Sequence, residues 1–85
     1  PDGTRGYVPV FSDDAVQVID LATNTVIGLP IPVGDGPDSI AITPDGSRAY
    51  VANFLGDSVS VINTTSNTVI GLPIPVGDGP TAIAI

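Results

Sequence analysis

The sequence predicts an all-β fold of tandem four-stranded antiparallel β-propeller blades, in a permuted frame that further blades or head-to-tail copies must complete. Three observations predict it. First, the chain repeats with a period of 43: residues 1–42 align without a gap on 44–85, and 28 of the 42 aligned positions are identical. Propeller blades recur every 40–45 residues or so, whereas helical ankyrin and tetratricopeptide units recur every 33–34 or so. Second, Val, Ile and Thr are abundant, there are 10 Gly and 9 Pro, and Lys, Glu and Met are absent. Such a mixture lacks most strong helix formers and suits short strands with tight turns. Third, turn-forming clusters such as Pro44-Asp45-Gly46 separate the apolar runs at repeating offsets.

The repeats are residues 1–42 and 43–85, and the elements read most clearly from Ser39 onward. Ser39 to Thr43 alternates Ile with Ala and forms a first strand. Pro44-Asp45-Gly46 turns the chain, Gly supplying a positive φ. Arg48 to Asn53 is the second strand, and Asn53 to Asp57 its turn. Ser58 to Asn63 alternates Ser with Val and forms the third. After the polar turn Thr64 to Asn67, a fourth strand is expected from Thr68 to Val76, followed by the Gly77-Asp78-Gly79-Pro80 loop. Pro73 and Pro75, like Pro30 and Pro32, stand two apart, so both missing N–H groups fall on one side of the strand. An edge strand tolerates this, which assigns the fourth strand to the outer rim of its sheet; the alternative is a polyproline-like linker, against which the interleaved Leu72, Ile74 and Val76 favour a strand.

The ordered motifs resemble the YVTN family of β-propeller repeats of microbial surface-layer and other extracellular proteins. The resemblance rests on Ile40-Ala41-Ile42-Thr43-Pro44-Asp45-Gly46, Tyr50-Val51-Ala52-Asn53, Ser58 to Asn63 and Asn67-Thr68-Val69. It covers nearly the whole chain and implies a propeller closed by several blades, with no shared catalytic residues. The first repeat departs from the pattern at Tyr7-Val8-Pro9-Val10, where Val10 stands in place of Asn, so the following turn is expected to differ.

Two blades leave two apolar faces without neighbours. The chain opens on the Pro1-Asp2-Gly3 turn and closes on a first strand at 81–85, which makes its ends complementary. Arg5, Tyr7 and Val8 on one side, and Ile83 and Ile85 on the other, are the candidate assembly residues. They are expected to join copies head to tail by strand pairing, into a ring or an open filament.

A net charge of −7 argues against nucleic acid and anionic lipid as partners. No apolar run approaches the length of about 18 residues that inserts into a membrane. With no His, Cys, Lys or Glu in these 85 residues, a Ser-His-Asp triad, a zinc site or His-ligated haem has no ligands here. The sequence therefore predicts no enzyme and no cofactor. Asp35 and Asp78, in Gly-Asp-Gly-Pro loops, are weak Ca²⁺ candidates without EF-hand spacing, and turn duty suits them better. Adjacent Asp13 and Asp14 read as a solvated turn, since their side chains diverge. Asn63-Thr64-Thr65 forms a glycosylation triplet on a turn, relevant outside the cell. The expected role is an extracellular or cell-surface structural or interaction module that self-assembles. The alternatives are a ligand- or protein-binding scaffold within a larger closed propeller, and the propeller domain of a redox enzyme or lyase.

Overall fold

The structure is a computed structural model that describes residues 5–84. It is all-β and antiparallel, with two blade-like sheets. The first contains β1 (Arg5–Val10), β2 (Ala15–Asp20) and β3 (Thr25–Pro32), in that spatial order. The second contains β4 (Pro37–Ile42), β5 (Arg48–Asn53), β6 (Ser58–Asn63) and β7 (Thr68–Val69) in order, and β8 (Ile74–Pro75) also pairs with β6. β5 and β6 have the bounds expected for the second and third strands. β4 begins at Pro37, two residues before the alternating run that marked it.

Local side-chain chemistry closes each hairpin at a fixed residue. Asp20 Oδ1 accepts the Ala22 amide at 2.9 Å, and Asn63 Oδ1 accepts that of Thr65 at 2.9 Å. Each of these Asx turns ends in a left-handed Asn, Asn24 (φ 58°) and Asn67 (φ 57°), a conformation that Asn tolerates better than most residues. Between β1 and β2, residues Phe11–Asp13 form a short 3-10 turn, unlike the plain turn between β5 and β6, as the Val10 substitution led one to expect. Both turns finish on a left-handed Asp, Asp14 (φ 52°) and Asp57 (φ 50°).

Two expectations need correction. The fourth strand is not continuous in the second repeat, which holds only β7 and β8. Gly71 stands at φ 66°, and Leu72 is 88% exposed. Gly28 takes the same φ of 66°, the register slips between Val16 and Val18, and Leu29 is also 88% exposed. The strand order places the proline-bearing strand on the rim of each sheet, where an irregular stretch disturbs pairing on one side only. Residues 81–84 form no strand and pair with none of the described strands. Ile85 lies outside the described residues.

The core lies between the two sheets. Val16, Val18 and Ile31 of the first sheet pack on Ala49, Val51 and Ile62 of the second. Burying one such Val or Ile side chain contributes about 1.5–3 kcal/mol. The two sheets use opposite faces in this contact. The repeat equivalents of Val16 and Val18 are Val59 and Val61, which alternate with buried Ser60 and Ile62 along β6 and therefore point away from the first sheet.

Candidate functional site

Three features are candidates: the turn at Asp45, the junction between the sheets, and the two outer edges. At the β4–β5 turn, Asp45 Oδ1 accepts the Thr43 hydroxyl at 2.7 Å, the Ser47 hydroxyl at 2.8 Å and the Ser47 amide at 3.0 Å. These donors, led by the Ser47 amide, stabilise the carboxylate and lower its pKa from the ordinary 3.8 to about 2. Ionised Asp45 thus favours the folded chain at neutral pH. The contribution fades as pH falls from about 3.8 towards 2. A carboxyl-carbon NMR titration should place the Asp45 midpoint near 2; a midpoint at 3.8 would refute the turn.

The junction is the segment Val33 to Pro37, which carries the chain from the rim of one sheet to the start of the next. Asp14 holds it from the first sheet: its carbonyl accepts the Val33 amide at 3.0 Å and its Oδ1 accepts the Gly36 amide at 2.9 Å. The second sheet holds it from the other side. Phe54 donates its amide to the Gly36 carbonyl at 2.8 Å, and Gly56 donates to that of Asp35 at 3.1 Å. Below it, fully buried Asn53 donates to Ser58 Oγ at 3.1 Å and Ser60 Oγ at 2.9 Å, while its Oδ1 has no partner. In the first repeat, Val10, Ala15 and Gln17 occupy the places of Asn53, Ser58 and Ser60, so only one of the two repeats carries this polar group.

Sequence reading assigned this loop to Asp35 and Asp78, yet both side chains are exposed. The carboxylates that bind it are Asp14 and Asp57, because Asp57 Oδ1 likewise accepts the Gly79 amide at 2.8 Å. The available signal was that Asp14 and Asp57 occupy equivalent positions and are retained where their neighbours differ. Asn63 uses its side-chain oxygen in its own turn. Among the described residues, no three or more His, Cys, Asp or Glu side chains cluster as metal ligands would. Nor is any helix there long and apolar enough to cross a membrane.

The outer edges hold the proposed assembly residues. Among the described residues β1, which holds Arg5, Tyr7 and Val8, pairs with β2 alone, whereas the equivalent β5 is flanked by β4 as well. Ile83 is half-buried in unpaired chain. Among the described residues, no strand pairing brings the two sets together.

No family model matches this chain, and no curated protein does. Among solved structures, it resembles Kuenenia stuttgartiensis hydrazine synthase with a TM-score of 0.88 and 38% identity, over 94% of this chain. The chain spans 22% of the length of that structure's chain. This likeness overturns the expectation of no enzyme, because the protein it resembles is an enzyme by name. The missing catalytic residue types describe 85 residues, about a fifth of the matched chain, and cannot exclude an enzyme on that ground.

Proposed function

We propose that the chain is a two-blade segment of the β-propeller framework of an enzyme related to hydrazine synthase. The carrying observation is the 38% identity that accompanies the shared fold over 94% of the chain. Its sheets supply a rigid support: packed Val and Ile between blades, and junctions fixed by Asp14 and Asp57. In the intact protein that contains this segment, hydrazine formation is the activity to assay. Val51→Asp places a charge at a fully buried position between the sheets and should abolish that activity along with the fold of the segment. An intact, folded parent protein that makes no hydrazine would refute the reading.

The YVTN-type motifs favour a second reading, a propeller displayed outside the cell as a structural or binding surface. It is carried by Ile40 to Gly46 and Tyr50 to Asn53. Protease treatment of intact cells tests it, since a surface protein is digested and an internal one is spared.

A further inference from the structure

We propose that Asp35-Gly36 is a latent site of backbone isomerisation, and that Asp14 is the residue that keeps it closed. The inference needs neither the enzyme reading nor the surface reading of the chain.

The dipeptide is reactive by composition. In an Asp-Gly pair no side chain shields the glycine amide, so its nitrogen can attack the carboxyl carbon of the preceding Asp. The new N–Cγ bond closes a succinimide ring, and the carboxyl hydroxyl leaves as water with the amide proton. Water then adds to one of the two ring carbonyls. Opening at Cγ restores aspartate. Opening at the main-chain carbonyl breaks its bond to the glycine nitrogen and leaves isoaspartate, with the chain running through the side-chain methylene. One water leaves and one returns, and no other reactant is consumed. The fold also demands this pair. Gly36 stands at φ 61°, and a Cβ on it would lie 2.7 Å from Leu55 Cγ. Asp35 is exposed, so water reaches its carboxyl.

What holds the reaction back is the grip on a single peptide group. The amide and carbonyl of the Asp35–Gly36 peptide are bonded from different sheets. Its N–H donates to Asp14 Oδ1 at 2.9 Å, on the side of the first sheet. Its carbonyl accepts the Gly56 amide at 3.1 Å, on the side of the second. The next carbonyl, that of Gly36, accepts the Phe54 amide at 2.8 Å. The nitrogen attacks Cγ only after its N–H leaves Asp14 and the peptide turns about the Asp35 Cα–C bond, which breaks the Gly56 bond as well. The Asp14 bond is the one made to a carboxylate, and such bonds are the stronger kind. Isoaspartate would lengthen the main chain by one atom inside the junction, so Gly36 could no longer meet Asp14 and Phe54 together.

Asp45-Gly46 supplies an internal comparison. There the Gly46 amide donates to the Thr43 carbonyl at 2.8 Å, and the carboxylate itself is held by Thr43 and Ser47. Its protection is confined to one turn and does not involve Asp14.

The test is the rate of isoaspartate formation in the intact protein that contains this segment. Samples are aged in warm neutral buffer and mapped by mass spectrometry with electron-transfer fragmentation, which distinguishes isoaspartate from aspartate. In the folded protein Asp35 should persist as aspartate, whereas in urea both Asp35 and Asp45 should convert. Asp14→Gly removes the carboxylate and keeps the left-handed backbone of φ 52°, which Gly adopts without steric cost. It should speed conversion at Asp35 at least about tenfold, the loss of one charge-assisted hydrogen bond, and leave Asp45 unchanged. Asp14→Asn retains an oxygen that accepts the Gly36 amide and should stay close to the unaltered protein. Conversion of Asp35 as fast in the folded protein as in urea would overturn the proposal without any variant. So would an unchanged rate at Asp35 in Asp14→Gly. A rise shared by Asp45 would mean that the whole fold guards the site rather than the Asp14 bond, and would overturn it too. Hydrazine formation enters none of these readouts, so the enzyme reading and this one fail separately.

Discussion

Shortening Ile62 to Ala is expected to cost about 2–5 kcal/mol of folding stability, and the same change at its repeat equivalent Ile19 less than half of that. The two isoleucines occupy equivalent positions in repeats that are identical at 28 of 42 positions, yet their surroundings differ. Ile62 is 0% exposed and belongs to the core cluster that includes Val16 and Val18 of the first sheet. Ile19 lies half-buried on the outer face of the first sheet, where its neighbour is the side chain position left open by Gly6. Truncating Ile62 removes transfer free energy and leaves a cavity that packed strands on both sides keep from collapsing. At Ile19 water already reaches the site, so little cavity forms. For a domain of this size, each kcal/mol moves the melting temperature by about 4–8 °C, so Ile62→Ala should melt on the order of 10–30 °C lower. Thermal unfolding followed by circular dichroism at low protein concentration measures both variants. Equal losses at that concentration would mean that the two sheets do not meet on the faces described.

Replacing Gly34 with Ala should destabilise the chain by about 1–3 kcal/mol, whereas Gly77→Ala should be neutral or slightly stabilising. Both glycines lie in the segment that recurs unchanged as Asn24 to Pro37 and Asn67 to Pro80. Neither needs a left-handed backbone, so their difference is steric. A Cβ on Gly34 would stand 2.5 Å from Asn53 Nδ2 and 2.8 Å from its Cγ. Asn53 is fully buried and bonded to Ser58 and Ser60, so it yields only by breaking those bonds. A Cβ on Gly77 would meet nothing within 4 Å. Denaturant unfolding of the two variants decides the matter, and a stable Gly34→Ala would show that the junction does not pack against Asn53.

These pairs also show how far the sequence alone could reach. Strands β5 and β6 were legible to the residue because local chemistry bounds them: the Asp45 turn on one side, Asp57 between them, and the Asn63 turn beyond. The rim strand was legible in its place but not in its continuity. Its prolines announce an edge, while the bulge depends on Gly71 taking a positive φ that an apolar alternation pattern does not reveal. Asp14 and Asp57 went unrecognised for a different reason. Each bonds a glycine 22 residues further on, and no short motif encodes a partner at that distance. Asp35 drew notice because it is flanked by glycines, yet the loop's bonds use its backbone. An enzyme domain stood only as an alternative because residue types were weighed over 85 positions, while the similar protein chain is more than four times as long.

The Asp14 and Asp57 bonds carry a consequence for shape at larger scale. At each of the two exits one carboxylate accepts one glycine amide, Asp14 from Gly36 and Asp57 from Gly79. In any longer series built on this bond, a departure at one junction would be copied at every other rather than averaged away. Angular error in such a series grows in proportion to the number of units, and an axial offset grows with it. Whether many units meet their own beginning or wind past it depends on a tilt too small to notice between any two neighbours. A lengthened side chain at these two positions, Asp to Glu, would act less as a lesion than as a change of pitch.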